Sequence, residues 1–505
     1  MADPPSGRSR GGLPAAGPRP AASGAGDVLD QAVAGVAVRG GAVRAIGYVA
    51  GGLVSLAWAP FLIRALGVAE FGRYVLAVSV ATLFCGLLEA GFGTIAVREF
   101  ALREGAERER VLANLLGLRL LIGAIAVGLP AGFCVLAGYP SRVTEGAALD
   151  ATALMFGNLQ LLFGAGLVGR MRFGAVTAAD LLRQVLQALL IGALLLHGAS
   201  IVGYLAAGIP PGAASLAVVV WLTRETMPLR PRAERALWRK LLREALPYWG
   251  ATAVYNVYFR VVVVALSLLA TPFQTGLFAT AYRIVELLLA IPPLVVGTVF
   301  PVLSRAARDN AARLARGARR TLELSLVLGG GAALATCGAA PVLIAVIGGH
   351  GARGSVVVLR ITSVAMGTTF VAVAVGYTLV AMRRFGGTLL VALSALATSV
   401  VASLVLVPLH GAIGGAITSV LAELVLTTTG VLLLRRAGAD LLPRGRTALA
   451  VLAGLIVGAG VLLVPHVTPL IGAPLAVAIY AACVLALGAI PAEARAALTG
   501  LWRRH

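Results

Sequence analysis

The residues in this sequence best placed to do chemistry are charged ones stranded in apolar surroundings. Arg64, Glu89, Arg119, Asp180, Arg183, Arg260, Arg283, Glu286, Arg360 and Glu423 all interrupt long runs of Leu, Val, Ala, Ile and Gly. An ionisable group in such a run is costly to bury, so it faces a cavity or a partner. Asp180 with Arg183, and Arg283 with Glu286, stand three residues apart, a spacing that lets two side chains meet on one helix face. Each pair reads equally well as a neutralising strut. Arg260 differs, because no acidic residue stands within a turn of it. Tyr248, Thr252, Asn256 and Arg260 step by four, which sets them on one slowly drifting stripe. Arg44, Tyr48, Gly51 and Ser55 form a similar stripe near the start of the chain. Two polar stripes predict a hydrophilic cavity; hydrogen bonds within a tight helix bundle are the plainer alternative.

The sign of these charges narrows the chemistry. Arginines outnumber isolated carboxylates, and a guanidinium pairs bidentately with phosphate or carboxylate. A cavity lined by Arg260, Arg64, Arg44, Arg283, Arg360, Asn256 and Tyr48 therefore suits an anionic ligand. Glu89, Glu423, Glu286 and Asp180 are the candidates for ion coupling, and equally the counter-ions of nearby arginines. Enzyme-like motifs are missing. The chain has no P-loop, no HExxH and no CxxC. Cys85, Cys134, Cys337 and Cys483 sit singly in apolar runs, and His197, His350, His410 and His466 are scattered, so no metal site and no cofactor is expected. Glu70 and Glu145 read as ordinary surface carboxylates. Gly329-Gly330-Gly331 reads as close helix packing rather than a phosphate cradle.

These residues must be positioned by membrane helices. Of 505 residues, 59% are hydrophobic and only 12% are charged, with a mean hydropathy of +0.93. A soluble domain needs more polar surface. The apolar runs predict an all-α polytopic protein of about fourteen transmembrane helices, most near the roughly 20 residues that span a bilayer. They fall near 42–66, 74–97, 111–137, 149–169, 174–197, 200–222, 246–270, 275–300, 321–347, 355–380, 388–407, 411–434, 448–464 and 470–490. The net charge of +21 is not a nucleic-acid signature. Its arginines cluster in alternate connectors: 98–110, 170–172, 224–243, 305–320, 383–384, 435–446 and 495–504. The intervening connectors carry only Arg73, Arg142 and Arg353. By the positive-inside rule both termini are cytoplasmic, in a multi-pass protein of the cell inner (plasma) membrane.

The predicted organisation is a disordered tail at 1–40, a six-helix bundle at 41–223, a basic linker at 224–245, a second six-helix bundle at 246–440, an extra helix pair at 441–492 and a tail at 493–505. Within the linker, Leu237, Trp238, Leu241 and Leu242 among basic residues predict a short amphipathic helix on the inner leaflet. A weak repeat relates the bundles. Phe71-Gly72-Arg73-Tyr74 aligns with Thr275-Gly276-Leu277-Phe278, Gly93-Thr94 with Gly297-Thr298, and Arg172-Phe173-Gly174 with Arg384-Phe385-Gly386. Six helices per bundle give parallel repeats, related by a pseudo-two-fold axis along the membrane normal.

The stretch Leu66-Gly67-Val68-Ala69-Glu70-Phe71-Gly72-Arg73-Tyr74, followed by Glu89-Ala90-Gly91-Phe92-Gly93 and Arg98-Glu99, resembles bacterial polysaccharide flippases. These are the Wzx-type transporters of the multidrug/oligosaccharidyl-lipid/polysaccharide exporter superfamily. Gly276, Phe278, Tyr282-Arg283 and Phe300-Pro301-Val302-Leu303-Ser304 carry the likeness into the second bundle. Two residues depart from the family pattern. Glu89 stands where Asp is common, and Arg260 is followed by Val261 and Val262 where an Arg-x-Asp is frequent. The resemblance implies two lobes around a cavity that alternates access, with an isoprenoid diphosphate carrying an oligosaccharide as substrate. It implies O-antigen, lipopolysaccharide or exopolysaccharide export without enzyme activity. Membrane lipids, and the polysaccharide polymerase and chain-length machinery, are the expected partners; nucleic acid is not. A lipid II flippase, a cation-coupled multidrug exporter and a membrane enzyme on lipid-linked sugars are the competing expectations.

Overall fold

The computed structural model describes residues 24–89, 91–438, 445–464 and 468–489. It is helical throughout, with no strand among the described residues. The order is α1 Gly24–Glu89, α2 Phe92–Leu102, α3 Gly105–Leu136, α4 Ser141–Gly169, α5 Phe173–Leu196, α6 Ile201–Ala206 and α7 Ile209–Thr223. The second half holds α8 Arg235–Leu269, α9 Pro272–Leu288, α10 Ile291–Asp309, α11 Ala311–Gly348, α12 Ser355–Ala381 and α13 Phe385–Arg436. The last pair is α14 Gly445–Leu462 and α15 Pro469–Ala486.

Several of these helices are too long for one crossing. A continuous α1 of 66 residues would run roughly 100 Å, against about 30 Å of hydrocarbon. The chain breaks at Gly67, where φ is 74° and ψ 164°. In the same way α13 breaks at Gly411, with φ 55° and ψ −127°. There the chain folds back on itself, since a Cβ on Gly414 would stand 3.0 Å from the nitrogen of Val407. By length and composition, 11 stretches among the described residues can cross a membrane. Dividing two of them at Gly67 and Gly411, and adding the apolar body of α8, brings the crossings to fourteen. Pairs such as α6 with α7 and α9 with α10 act as single spans. Their breaks precede Pro210 and Pro292, which lack the N–H that would continue a helix.

Two boundaries differ from the sequence expectation. The tail expected to be disordered over 1–40 is helical from Gly24 onward. Its Pro-rich composition is confined to the first residues, whereas Asp27 to Arg39 is built of Ala, Val and polar helix formers. The linker helix is not a separate piece. It is the leading part of α8 and runs on into the seventh crossing.

The lobes meet most tightly at the end away from the arginine-rich connectors. One hydrophobic cluster there joins Leu62, Ile63 and Phe71 of α1 to Val263 of α8, Phe278 of α9 and Ile344 of α11. At its centre α1 crosses α9 with no room for side chains. A Cβ on Gly72 would lie 2.7 Å from the nitrogen of Gly276 and overlap the carbonyl oxygen of Pro272. A Cβ on Gly276 would lie 2.8 Å from the carbonyl carbon of Val68. The contact is reciprocal. Each glycine meets its repeat equivalent and the residue four places before it, as a pseudo-two-fold axis through the crossing requires. The C-terminal pair packs on α11, where Gly330 and Gly331 accept the ring of Tyr480 from α15. That close approach explains Gly330 and Gly331, while Gly329 lies against the backbone of Gly367 on α12.

Candidate functional site

Between the lobes lies a charged network drawn from four helices. Arg260 on α8 reaches Glu286 on α9, with Nη1 3.3 Å from Oε1. Arg283, one turn before Glu286, reaches the other carboxylate oxygen at 3.2 Å. One carboxylate therefore bridges two guanidinium groups. Arg283 also stacks on Trp58 of α1, 5.7 Å from the ring centre. Asn256, one turn before Arg260, donates to the carbonyl of Gly86 at 3.2 Å and so ties α8 to the second limb of α1. On the α4 side, Asp150 is close enough to Arg260 to interact electrostatically. Its Oδ2 is buried without a hydrogen-bond partner. Side chains of Arg260, Arg283 and Glu286 remain 24%, 30% and 29% exposed. The network is therefore only partly buried by the surrounding helices.

Not every expected site residue joins it. The guanidinium of Arg64 is exposed and donates to the carbonyls of Ala345 and Val346, at 3.4 and 2.8 Å. It thus caps the end of α11 at the closed face. Arg360 is exposed near the start of α12. The side chains of Arg44, Tyr48, Tyr248 and Thr252 lie outside the described residues. Asp180 does not pair with Arg183. It accepts instead from Gln160 at 2.9 Å, and Gln160 in turn accepts from Ser215 at 2.8 Å. This buried amide–hydroxyl chain holds α4, α5 and α7 together. Glu89 pairs with Arg119 inside the N-terminal lobe. Arg119 is only 4% exposed and also donates to the carbonyl of Asn158 at 2.9 Å. Glu70 pairs with Arg73 at the surface.

Glu423 lies apart, inside the C-terminal lobe and 7% exposed. Tyr258 donates to its Oε1 at 2.7 Å. Its Oε2 has no hydrogen-bond partner, and neither do the buried hydroxyls of Ser399, Ser403 and Thr418. A cavity of about 40 Å³ lies here, lined by Glu423, Tyr258, Thr369, Ser399 and Ser419 among others. That is room for a water molecule or a small cation.

The polysaccharide biosynthesis protein family profile matches residues 37–307, more than half of the chain. The chain belongs to the polysaccharide biosynthesis protein family. No curated protein matches it. Among solved structures, this family member is similar to the lipid II flippase MurJ in an inward closed conformation. The TM-score is 0.69 at 14% identity, covering 90% of this chain and 98% of that one. It is also similar to a multidrug resistance MATE family transporter of the MOP superfamily in an inward-facing conformation. Here the TM-score is 0.62 at 15% identity, covering 77% of this chain and 99% of that one. At such identities the likeness is one of fold. The fold is that of a multi-pass membrane transporter, with two six-helix bundles and a C-terminal helix pair.

Asp150, Trp58 and Tyr258 escaped the sequence reading. Asp150 falls at the edge of the apolar run that begins near 149, so it looked like a helix end. The helix begins at Ser141, which moves Asp150 well inside. Trp58 and Tyr258 carried no signal beyond being aromatic.

Proposed function

We propose that this protein flips an isoprenoid-diphosphate-linked oligosaccharide from the cytoplasmic to the outer leaflet of the inner membrane, for surface polysaccharide synthesis. Transport is by alternating access, with both termini and the arginine-rich connectors in the cytoplasm. One observation carries the reading: Arg260 and Arg283 converge on a single, partly exposed carboxylate at the junction of the lobes. A diphosphate offers the same fork-shaped acceptor as Glu286, with more charge. Its arrival displaces Glu286 from one or both guanidinium groups, while the isoprenoid tail stays in the bilayer. Asn256 and Trp58, which tie the network to α1, make the exchange felt by the other lobe. The closed glycine crossing at the far end supports an inward-facing resting state, and both compared structures carry inward in their names.

The protein acts as a transporter and not as an enzyme. Glu423 is the coupling group, binding a proton or a small cation among the hydroxyls around it. The polymerase and chain-length machinery receive the flipped product.

A second substrate, lipid II, is favoured by one feature. The likeness to the lipid II flippase extends over 90% of this chain. Growth separates the two: a deletion that kills cells points to lipid II, whereas loss of surface polysaccharide alone points to the first reading.

The direct test is Arg260→Ala, with insertion and abundance checked. Export is expected to fall at least tenfold while lipid-linked precursor accumulates on the inner leaflet, as loss of a charge-assisted contact of about 1.5–3 kcal/mol implies. Normal export at normal abundance would sink the proposal.

A further inference from the structure

Two elbows occupy equivalent places in the two halves. The first joins α2 to α3, and the second joins α10 to α11. Both follow the repeated Gly-Thr pair at Gly93-Thr94 and Gly297-Thr298. Their charges differ. The first elbow, 98–110, holds Arg98, Arg103, Arg108 and Arg110 with Glu99, Glu104, Glu107 and Glu109. Its arginines are engaged. Arg98 pairs with Glu99 at 2.7 Å and with Glu244, and Arg103 pairs with Glu99 at 2.6 Å and Glu107 at 2.9 Å. Arg110 is bonded to Glu234, and Arg108 lies 4.7 Å over the ring of Phe100.

The second elbow, 305–320, has six arginines and a single acid, Asp309. Arg305, Arg308, Arg313 and Arg316 are exposed, and no ion pair holds any of them among the described residues. The opposite faces of the same helices are anchored, with Leu303, Ala306, Leu314 and Ala318 buried in the C-terminal lobe. The arginines are thus fixed on a rigid corner rather than on a loose loop. The arginines also adjoin segments long and apolar enough to cross a membrane, Pro272–Arg308 and Ala312–Gly348, and basic residues beside such a segment attract anionic headgroups.

We propose that the α10–α11 elbow is a docking surface for anionic lipid headgroups, and that the α2–α3 elbow, being charge-balanced, is not. The phosphodiester of a phosphatidylglycerol is the ligand, held by Arg305, Arg308, Arg313 and Arg316. The consequence is an asymmetric transporter. Its C-terminal lobe is fastened to one leaflet, and its N-terminal lobe is free to rock against it.

The test uses the full chain in nanodiscs of equal parts phosphatidylcholine and phosphatidylglycerol, with retained lipid counted by native mass spectrometry. Changing all four arginines to glutamine is expected to lower phosphatidylglycerol retention several-fold, and raised salt is expected to do the same, since each juxtamembrane basic residue contributes a factor of about five. Glu104→Gln with Glu109→Gln, which unbalances the first elbow without removing a residue from its ion pairs, is expected to add retained phosphatidylglycerol. Should the fourfold variant not insert, this second variant still decides. Unchanged retention in either overturns the proposal. So does displacement of the lipid by millimolar pyrophosphate, which would make the elbow a capture site for a soluble or substrate diphosphate. None of these readouts depends on flipping, so the proposal can fail while the transport reading stands.

Discussion

At the scale of single residues, the two acids buried in opposite lobes face different fates. Glu89 neutralises Arg119, which is 4% exposed and has two further nitrogens without hydrogen-bond partners. Removing one member of a buried pair leaves an uncompensated charge and costs about 3 kcal/mol or more. Glu89→Gln is therefore expected to lower the thermal denaturation temperature of the purified protein by several degrees, whereas Glu89→Leu with Arg119→Met recovers most of it. Glu423 has no arginine partner; it is held by the hydroxyl of Tyr258. An amide keeps that hydrogen bond, so Glu423→Gln is expected to fold normally and to make transport insensitive to an imposed ion gradient. Transport that still follows the gradient would remove Glu423 from the coupling path. Sequence alone could not separate the two, because both acids interrupt similar apolar runs. The partner of Glu89 arrives from α3, and that of Glu423 from α8. The same reason hid the partner of Arg260: Glu286 sits on the next helix, and no local spacing marks it. Arg64 was still less legible, since its acceptors are backbone carbonyls, which every residue carries.

At the scale of elements, α8 is the one that belongs to both lobes. Its leading turns are fastened to the N-terminal lobe. Glu234 accepts from Arg110 at 3.0 Å and from Asn114 at 3.1 Å, and the indole of Trp238 donates to the carbonyl of Asn114 at 3.0 Å. The backbone nitrogen of Arg232 donates to the carbonyl of Ala113 at 3.0 Å. Its body packs with α13 and carries Arg260. The basic amphipathic stretch expected to lie on the leaflet is thus a strap across the lobe. Hydrogen bonds from Arg110 and Asn114 depress the Glu234 carboxyl to about 2. A depressed carboxylate stabilises the docked strap above its ordinary value near 4.5, and that contribution is lost as pH falls through about 2. Protease cleavage within 224–234 is expected to stay slow at pH 7 and to remain nearly as slow at pH 4, where an unshifted carboxyl would be largely protonated. Glu234→Gln should open the segment at both. Acceleration between pH 5 and 4 in the unaltered protein would contradict the docking. The membrane segments themselves were legible because bilayer thickness dictates run length. Strap docking was not, because it depends on which surface a helix meets after the lobe has assembled.

At the scale of the whole molecule, the fold is closed at one end by apolar packing, while the charged network between the lobes stays partly exposed. Alternating access requires the α1–α9 crossing to part. Gly72→Ala puts a methyl group where the Pro272 carbonyl already sits, so it is expected to weaken the closed face. A cysteine at Phe71, labelled with a membrane-impermeant thiol reagent in whole cells carrying the otherwise cysteine-free chain, should react several-fold faster in the Gly72→Ala background. Equal rates would mean that this crossing does not gate. Two lobes, parallel repeats and an extra pair were all legible from hydropathy and faint motif echoes. The meeting of the echoed glycines was not, since an internal repeat says which residues are equivalent and not which ones touch.

A contact between equivalent residues on a two-fold axis is what two identical chains make when they pair. The glycine crossing would form unchanged in a homodimer of a single six-helix unit, with each copy supplying the same residue. Sealing one face therefore needs no difference between the halves. The charged network is one-sided: Arg260 and Glu286 both come from the second half, and by the repeat offset Asn256 and Arg260 correspond to Gly52 and Leu56 in the first. The crossing is thus symmetric between the halves, whereas the charged network and the elbows record how far the two halves have diverged.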